Sequence, residues 1–173
     1  VITKPLDGLS IGVDGEVSGR YSEIPTILDL AAADAVRFCP VIAQAYVPKD
    51  VELRVTVVGD RVFAVEIRSQ RSNHARRDWR NYDAAPGMYA LHSLPDETAE
   101  RCIRLVTELD LNYGALDLIL TPDGRYVFLE INPAGQWLWL ESATGAPIAD
   151  AVADLLLSTG DRSSRSLMNG ALR

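Results

Sequence analysis

Two stretches of strict alternation dominate the chain. Residues 113–132 read YGALDLILTPDGRYVFLEIN. With a two-residue turn at Asp123-Gly124, one face carries Leu116, Leu118, Leu120, Val127, Leu129 and Ile131. That pattern predicts a hairpin with one face in the core. The opposite face carries Asp117, Glu130 and Asn132, together with Ile119, Tyr126 and Phe128. In this register Asp117 stands directly opposite Glu130, each six residues from the turn. A longer turn taking in Thr121 or Pro122 would keep the faces and set the two carboxylates diagonally. The second alternating stretch, 52–58 and 61–68, predicts another hairpin about Gly59-Asp60.

Other patterns fill in around these hairpins. A short strand is expected over 1–6, and four glycines follow at Gly8, Gly12, Gly15 and Gly19. Pro25 and Thr26 open a predicted helix over 27–37, with Leu28, Ala31 and Ala35 at helical spacing. A strand is expected over 41–47. Pro95, Asp96 and Glu97 suit the first turn of a helix over 95–109, whose apolar stripe is Cys102, Ile103, Val106 and Leu109. A last helix is expected over 147–157, after an irregular segment at 133–146. The sum is an α+β domain over 1–158, with a largely antiparallel sheet and packing helices, followed by a flexible polar tail at 159–173.

Composition narrows the class. The chain has 173 residues and a net charge of −7, which argues against a nucleic-acid partner. Cys39 and Cys102 have no metal or redox spacing, which suits the cytoplasm. Neither a signal peptide nor a long apolar run is present, so no membrane span is expected. Because the chain starts at Val1 inside a predicted strand, it reads as a fragment. A homo-oligomer is compatible with all of this.

The polar face of the 113–132 hairpin carries the strongest chemical signal. Opposed carboxylates on a sheet repel each other, and a divalent cation would offset that. Oxygen donors from Asp117, Glu130 and Asn132 suit magnesium, which also keeps waters and phosphate oxygens in its shell. The alternative is an ordinary hairpin with a solvated face. The 69–87 loop is rich in arginine, and arginine pairs naturally with phosphate and carboxylate. Most of these arginines read as solvated. Arg68 and Arg80, which bracket the loop, read as ligand-facing. Glu52 and Arg54 share a strand face, either as a surface ion pair or as ligand contacts. Lys4 precedes a glycine-containing turn. His74 and His92 lack zinc spacing, and no nucleophile elbow is present.

Taken in order, these residues resemble a known family. Lys4-Pro5, Gln44-Ala45-Tyr46-Val47, Glu52-Leu53-Arg54-Val55, Asp78-Trp79-Arg80, Asp117 and Glu130-Ile131-Asn132-Pro133 follow the order of an ATP-grasp ligase. The run YVFLEINPAGQWLWLE followed by TGAPI resembles the microviridin-type graspetide synthetases, which cross-link ribosomal precursor peptides. The resemblance implies the carboxy-terminal part of an ATP-grasp fold, with ATP and Mg2+ as cofactors and a precursor peptide as partner. It implies that Lys4 contacts the phosphates, that Gln44, Tyr46 and Val47 hold adenine, and that Glu52 binds ribose. Arg68 joins the nucleotide-binding set. Arg54 and Arg80 would serve catalysis, and Asp117, Glu130 and Asn132 would hold the metal. Two departures stand out. Ala45 replaces the hinge glutamate of many relatives, and the glycines after Lys4 are sparse.

The implied reaction turns an Asp or Glu side chain into an acyl phosphate at the expense of ATP. A hydroxyl or amine of the same peptide then displaces phosphate to form an ester or amide. Two competitors remain at this stage: an ATP-grasp ligase for a small amino acid or protein terminus, and a non-catalytic nucleotide-binding module. The amino-terminal part of such an enzyme is expected to lie outside this chain, so the fragment alone is expected to be inactive.

Overall fold

The computed structural model describes residues 1–5, 9–11, 17–19, 21–38, 40–72, 75–80 and 87–158. Cys39, His74 and the 159–173 tail lie outside the described residues, as do three of the four early glycines. Contacts divide the chain into two compact units. One comprises 1–52, 66–88 and 119–127, and the other 53–65, 89–118 and 128–173.

Three sheets form. β1 (Ile2–Pro5) pairs antiparallel with β4 (Val41–Gln44), setting Lys4 against Ile42. β2 (Leu9–Ile11) pairs antiparallel with β3 (Val17–Gly19). The largest sheet has five strands: β5 (Val51–Val58), β6 (Arg61–Ile67), β7 (Tyr89–His92), β8 (Tyr113–Leu120) and β9 (Tyr126–Asn132). Their spatial order is β7-β6-β5-β8-β9. β5 is thus the central strand, and β9 is an edge.

Sequence pattern explains the centre well. Gly59 turns with φ 62°, the left-handed conformation that a two-residue hairpin needs. Leu53, Val55 and Val57 are buried on one face of β5, and Glu52, Arg54, Thr56 and Val58 on the other. A strand covered on both faces is expected at the middle of a sheet.

The second hairpin departs from its expected turn. The Gly124 amide donates to the Thr121 carbonyl at 2.9 Å, and the Thr121 amide donates to the Arg125 carbonyl at 2.9 Å. The connection is therefore Pro122-Asp123-Gly124, closed between Thr121 and Arg125, and not the two-residue Asp123-Gly124 turn. Pro122 suits the second position of a β-turn, and Gly124 supplies a φ of 81°. The Thr121 hydroxyl also accepts from the Arg125 amide at 3.0 Å. The two-residue turn from which Asp117 was counted opposite Glu130 is therefore not the turn that forms.

Helices follow the pattern unevenly. α2 (Asp96–Glu108) matches its expectation and buries Cys102 and Val106. Gly114 is required beside it: a β-carbon there would stand 2.9 Å from Ile131 and 3.0 Å from Val106. The expected helix at 27–37 breaks into α1 (Ile27–Ala31) and a 3-10 turn at Ala33–Arg37. Thr26 and Asp29 close a capping box at its start. Leu28 is 81% exposed, so its apolar spacing builds no buried face among the described residues.

The segment expected to be irregular contains α3 (Leu138–Thr144), which ends at Gly145 with φ 73°. α4 (Ile148–Leu157) follows. Within the second unit, Leu140 from α3 and Ile148 and Ala151 from α4 pack with Val58 and Val65. Burying Leu140 and Ile148 contributes roughly 1.5–3 kcal/mol each. No helix among the described residues is long and apolar enough to cross a membrane.

Candidate functional site

β5 carries the polar residues Glu52 and Arg54, and each organises its own surroundings. Glu52 and Arg54 are only 6% and 9% exposed, so they are not a surface ion pair. They do not pair with each other either. Successive same-face side chains along a strand leave each to find its own partner across the sheet or in a loop.

Arg54 reaches Asp117. Its Nε lies 3.2 Å from Asp117 Oδ1, and both side chains are largely buried. A buried guanidinium and carboxylate lose much hydration, and their mutual attraction offsets that loss. Tyr113, two turns of the pleat away on β8, shares the Asp117 face. Burial raises its phenol above the usual range, while the Arg54 charge opposes the rise.

The chain beyond β9 folds back over the same face of β8. Tyr113 Oη donates to the Gly135 carbonyl. Gly135 lies so close that a β-carbon there would meet the Ala115 β-carbon at 2.4 Å. Only glycine permits this approach. The segment that leaves β9 thus lies against Tyr113 and Ala115 on the strand that carries Asp117. Glu130 and Asn132 are exposed on β9. Asn132 Oδ1 accepts from the Ala134 amide at 2.9 Å, which fixes its carboxamide and leaves an oxygen lone pair for another donor or cation. The three donors are all hard oxygens, the chemistry magnesium takes. No group of three or more His, Cys, Asp or Glu side chains gathers among the described residues. This set needs only two carboxylates and an amide.

Glu52 belongs to a different constellation. Lys49 Nζ donates to Glu52 Oε1 at 2.7 Å and to the Arg77 carbonyl at 3.0 Å. Burial raises the Glu52 carboxyl above its usual range, and Lys49 and Ser69 act against that rise. The short ion pair and the raised pKa pull in opposite directions; the desolvation of a nearly enclosed carboxylate outweighs one cation.

Arg80 does not project as an unengaged ligand group. Its Nε and Nη2 both donate to Asp78, at 2.9 Å each. Asp78 also accepts from the Ser22 amide and hydroxyl, at 3.0 Å each. Burial would raise the Asp78 carboxyl, but the donors from Arg80 and Ser22 prevail and bring it down to about 2. This clasp ties the arginine loop to residues 21–23, and Glu23 bridges to Thr3 of β1. Arg68 Nε pairs with Glu66 Oε2 at 3.1 Å, and its amide donates to the Met88 carbonyl at 2.9 Å.

The remaining expected nucleotide residues are accessible. Lys4 is half-buried on β1, Gln44 ends β4 exposed, and Tyr46 and Val47 lie in the connector after it. The structure therefore joins Arg54 to Asp117 and joins Arg80 to Asp78, and it sets Lys4 and Gln44 on paired strands. Sequence reasoning missed Lys49, Asp78 and Gly135 as organising residues. For Lys49 no sequence signal exists, because a lone lysine in a connector looks like a surface charge. Gly135 stood in the unusual Gly135-Gln136-Trp137 run, which was the available signal.

No protein-family profile and no curated protein matches the chain. Solved structures do. The chain is similar to a RiPP-associated ATP-grasp ligase of Chryseobacterium gregarium, solved with ADP and a leader and core peptide. The identity is 33%, the TM-score 0.83, and the match covers 93% of this chain and 49% of that one. It is similar also to the macrocyclase MdnC of Microcystis aeruginosa MRC, bound with the precursor peptide MdnA. There the identity is 34%, the TM-score 0.77, and the coverage 92% and 47%. The ATP-grasp ligase PsnB, solved with a precursor variant, Mg and ADP, matches in fold at 23% identity and TM-score 0.65. The fold is that of ATP-grasp enzymes, α+β with an antiparallel sheet. Within that fold the sequence likeness is to the peptide-modifying ligases, and the chain spans about half the length of each.

Proposed function

We propose that this chain is the magnesium- and ATP-binding portion of a ligase that acts on a ribosomal precursor peptide. The observation that carries the reading is the buried Arg54–Asp117 pair in a chain one-third identical, over more than nine-tenths of its length, to ligases solved with ADP or precursor peptide. Asp117, Glu130 and Asn132 are the proposed magnesium ligands. Magnesium, when bound, would neutralise phosphate charge. Lys4 and Arg68 are proposed to bind the ATP phosphates, Gln44, Tyr46 and Val47 the adenine, and Glu52 the ribose. Arg54 and Arg80 are proposed as the catalytic arginines. One range, 1–158, would form the ATP-grasp portion.

The proposed chemistry is carboxylate activation. A side-chain carboxylate oxygen of the peptide attacks the γ-phosphorus of ATP, the bond to the β-γ bridging oxygen breaks, and ADP leaves. A peptide hydroxyl or amine then attacks the acyl carbon, loses its proton and expels phosphate, leaving an ester or amide. Arg54 is proposed to face the transferring phosphoryl group. Its guanidinium is already oriented by Asp117, so little reorganisation accompanies charge development. No protein nucleophile is needed. Both ATP and a newly made precursor peptide are cytoplasmic, which is where the reaction would run.

The test is ATP consumption by the complete reading frame that carries this chain, with a candidate precursor peptide. Turnover that needs both a divalent cation and a carboxylate-bearing peptide, with a mass loss of one water per cross-link, supports the proposal. Nucleotide binding without turnover on any peptide would instead mark a non-catalytic module.

A further inference from the structure

Lys49 is a buried charge for which the proposed chemistry has no use. Its side chain is 4% exposed, although it sits in a polar connector beside Pro48 and Asp50. A lysine gives up rotamer freedom and hydration to stand there. Two acceptors meet it: Glu52 Oε1 at 2.7 Å and the Arg77 carbonyl at 3.0 Å. The first acceptor is three residues along the chain. The second is the residue before Asp78, which Arg80 and Ser22 hold in the clasp.

We propose that Lys49 is a positioning residue that fixes the Glu52 carboxylate for a vicinal diol and anchors it to the 75–80 loop. This inference rests on the nucleotide-binding reading. A carboxylate that accepts from two neighbouring hydroxyls must be ionised and must not rotate. The Lys49 ion pair on one oxygen restricts rotation, and a bond from Ser69 adds to it. The charged groups that bear on Glu52 are Lys49, which favours its anion, and Asp78, which opposes it; burial opposes it most. Removing Lys49 therefore moves the Glu52 carboxyl further up. Binding that requires the anion then loses its acidic limb at a higher pH.

The experiment compares ATP with 2′,3′-dideoxy-ATP, using Lys49→Met and Lys49→Gln in the complete reading frame, by calorimetry between pH 5 and 8. The wild type is expected to prefer ATP by about tenfold or more, the scale of a charged hydrogen bond. Lys49→Met is expected to collapse that preference towards one, with dideoxy-ATP binding little changed. Lys49→Gln keeps a donor without the charge, so it is expected to keep part of the preference at pH 8 and to lose it as pH falls. Thermal melts check folding, and if Lys49→Met unfolds, the Lys49→Gln pH profile decides. Equal losses for both nucleotides, with the preference intact, would overturn the positioning role and leave the nucleotide reading standing. A wild type that binds ATP without preferring the diol overturns the inference and the ribose role of Glu52, and leaves the phosphate and adenine assignments standing. A wild type that binds neither nucleotide overturns both.

Discussion

The two hairpins share a grammar but use their polar residues in opposite ways. On β5, Glu52 and Arg54 are buried and engaged with Lys49 and Asp117. On β9, Glu130 and Asn132 face outward from an edge strand. The central strand can keep charges only by pairing them, because burial without a partner is costly. The edge strand carries its charges at little cost, since water solvates them. Residues of the first kind hold the fold and, in the proposed reading, contact the ligand as well, whereas those of the second kind would serve the chemistry alone.

Substitutions can break that contrast. The largest effect is expected at Arg54→Met, which leaves the Asp117 carboxylate without its guanidinium. Unfolding stability should fall by about 3–5 kcal/mol in urea titrations. A variant as stable as the parent would show that the pair is not what holds the β5–β8 face. Glu130→Gln should come next, and only in function. ATP turnover is expected to drop by about 100-fold or more, beyond the usual effect of losing a supporting residue of a metal site. Stability should stay within about 0.5 kcal/mol of the parent. Undiminished turnover would remove Glu130 from the metal set.

Asp78→Asn sharpens the comparison from a third position, an acid fixed by donors in a loop. Its carboxyl lies at about 2 in the folded chain against 3.8 for the unperturbed group. A depressed folded pKa means the stabilisation is present above pH 4 and lost as pH falls through 2. That difference is worth about 2 kcal/mol. Acid unfolding of the parent should therefore steepen between pH 4 and 2, and the asparagine variant should lack that component. Arg61→Ala sets the floor. Its pair with Asp154 is solvent-exposed, and the expected change is under about 1 kcal/mol by thermal melting.

Sequence alone revealed the features that depend on local rules. Gly59-Asp60 between alternating runs identified the β5–β6 turn, because left-handed φ values favour glycine. Pro95 with two acidic residues and a periodic stripe identified α2. The 121–125 turn was misread because Asp123-Gly124 suits a two-residue hairpin, while Pro122 and the Thr121 hydroxyl favour a longer connection. α3 escaped because Trp137 stands at its N-cap without a side-chain cap, and helix starts are read from Ser, Thr, Asp or Asn. Gly145, followed by Pro147, was the one usable stop signal. The contacts that tie Lys49 and Asp78 to distant parts of the chain were unreadable for another reason. Lys49–Arg77 and Ser22–Asp78 join residues far apart in sequence, and no local rule encodes such pairs. That Asp117, Glu130 and Asn132 lie on two adjacent strands was legible in the sequence; the turn that joins those strands was not.

The approach of Gly135 to Ala115 makes these two positions a single size-coded unit. Neither site can drift alone: Gly135→Ala collides with the existing methyl, whereas Ala115→Gly opens a gap beneath the turn. Made together, the exchange moves the methyl from one side of the contact to the other and keeps the spacing. Among variants of this chain, the smallest residue should therefore appear at one of the two positions or the other. A pattern of that kind could be read from sequences alone, before any measurement of the chemistry above it.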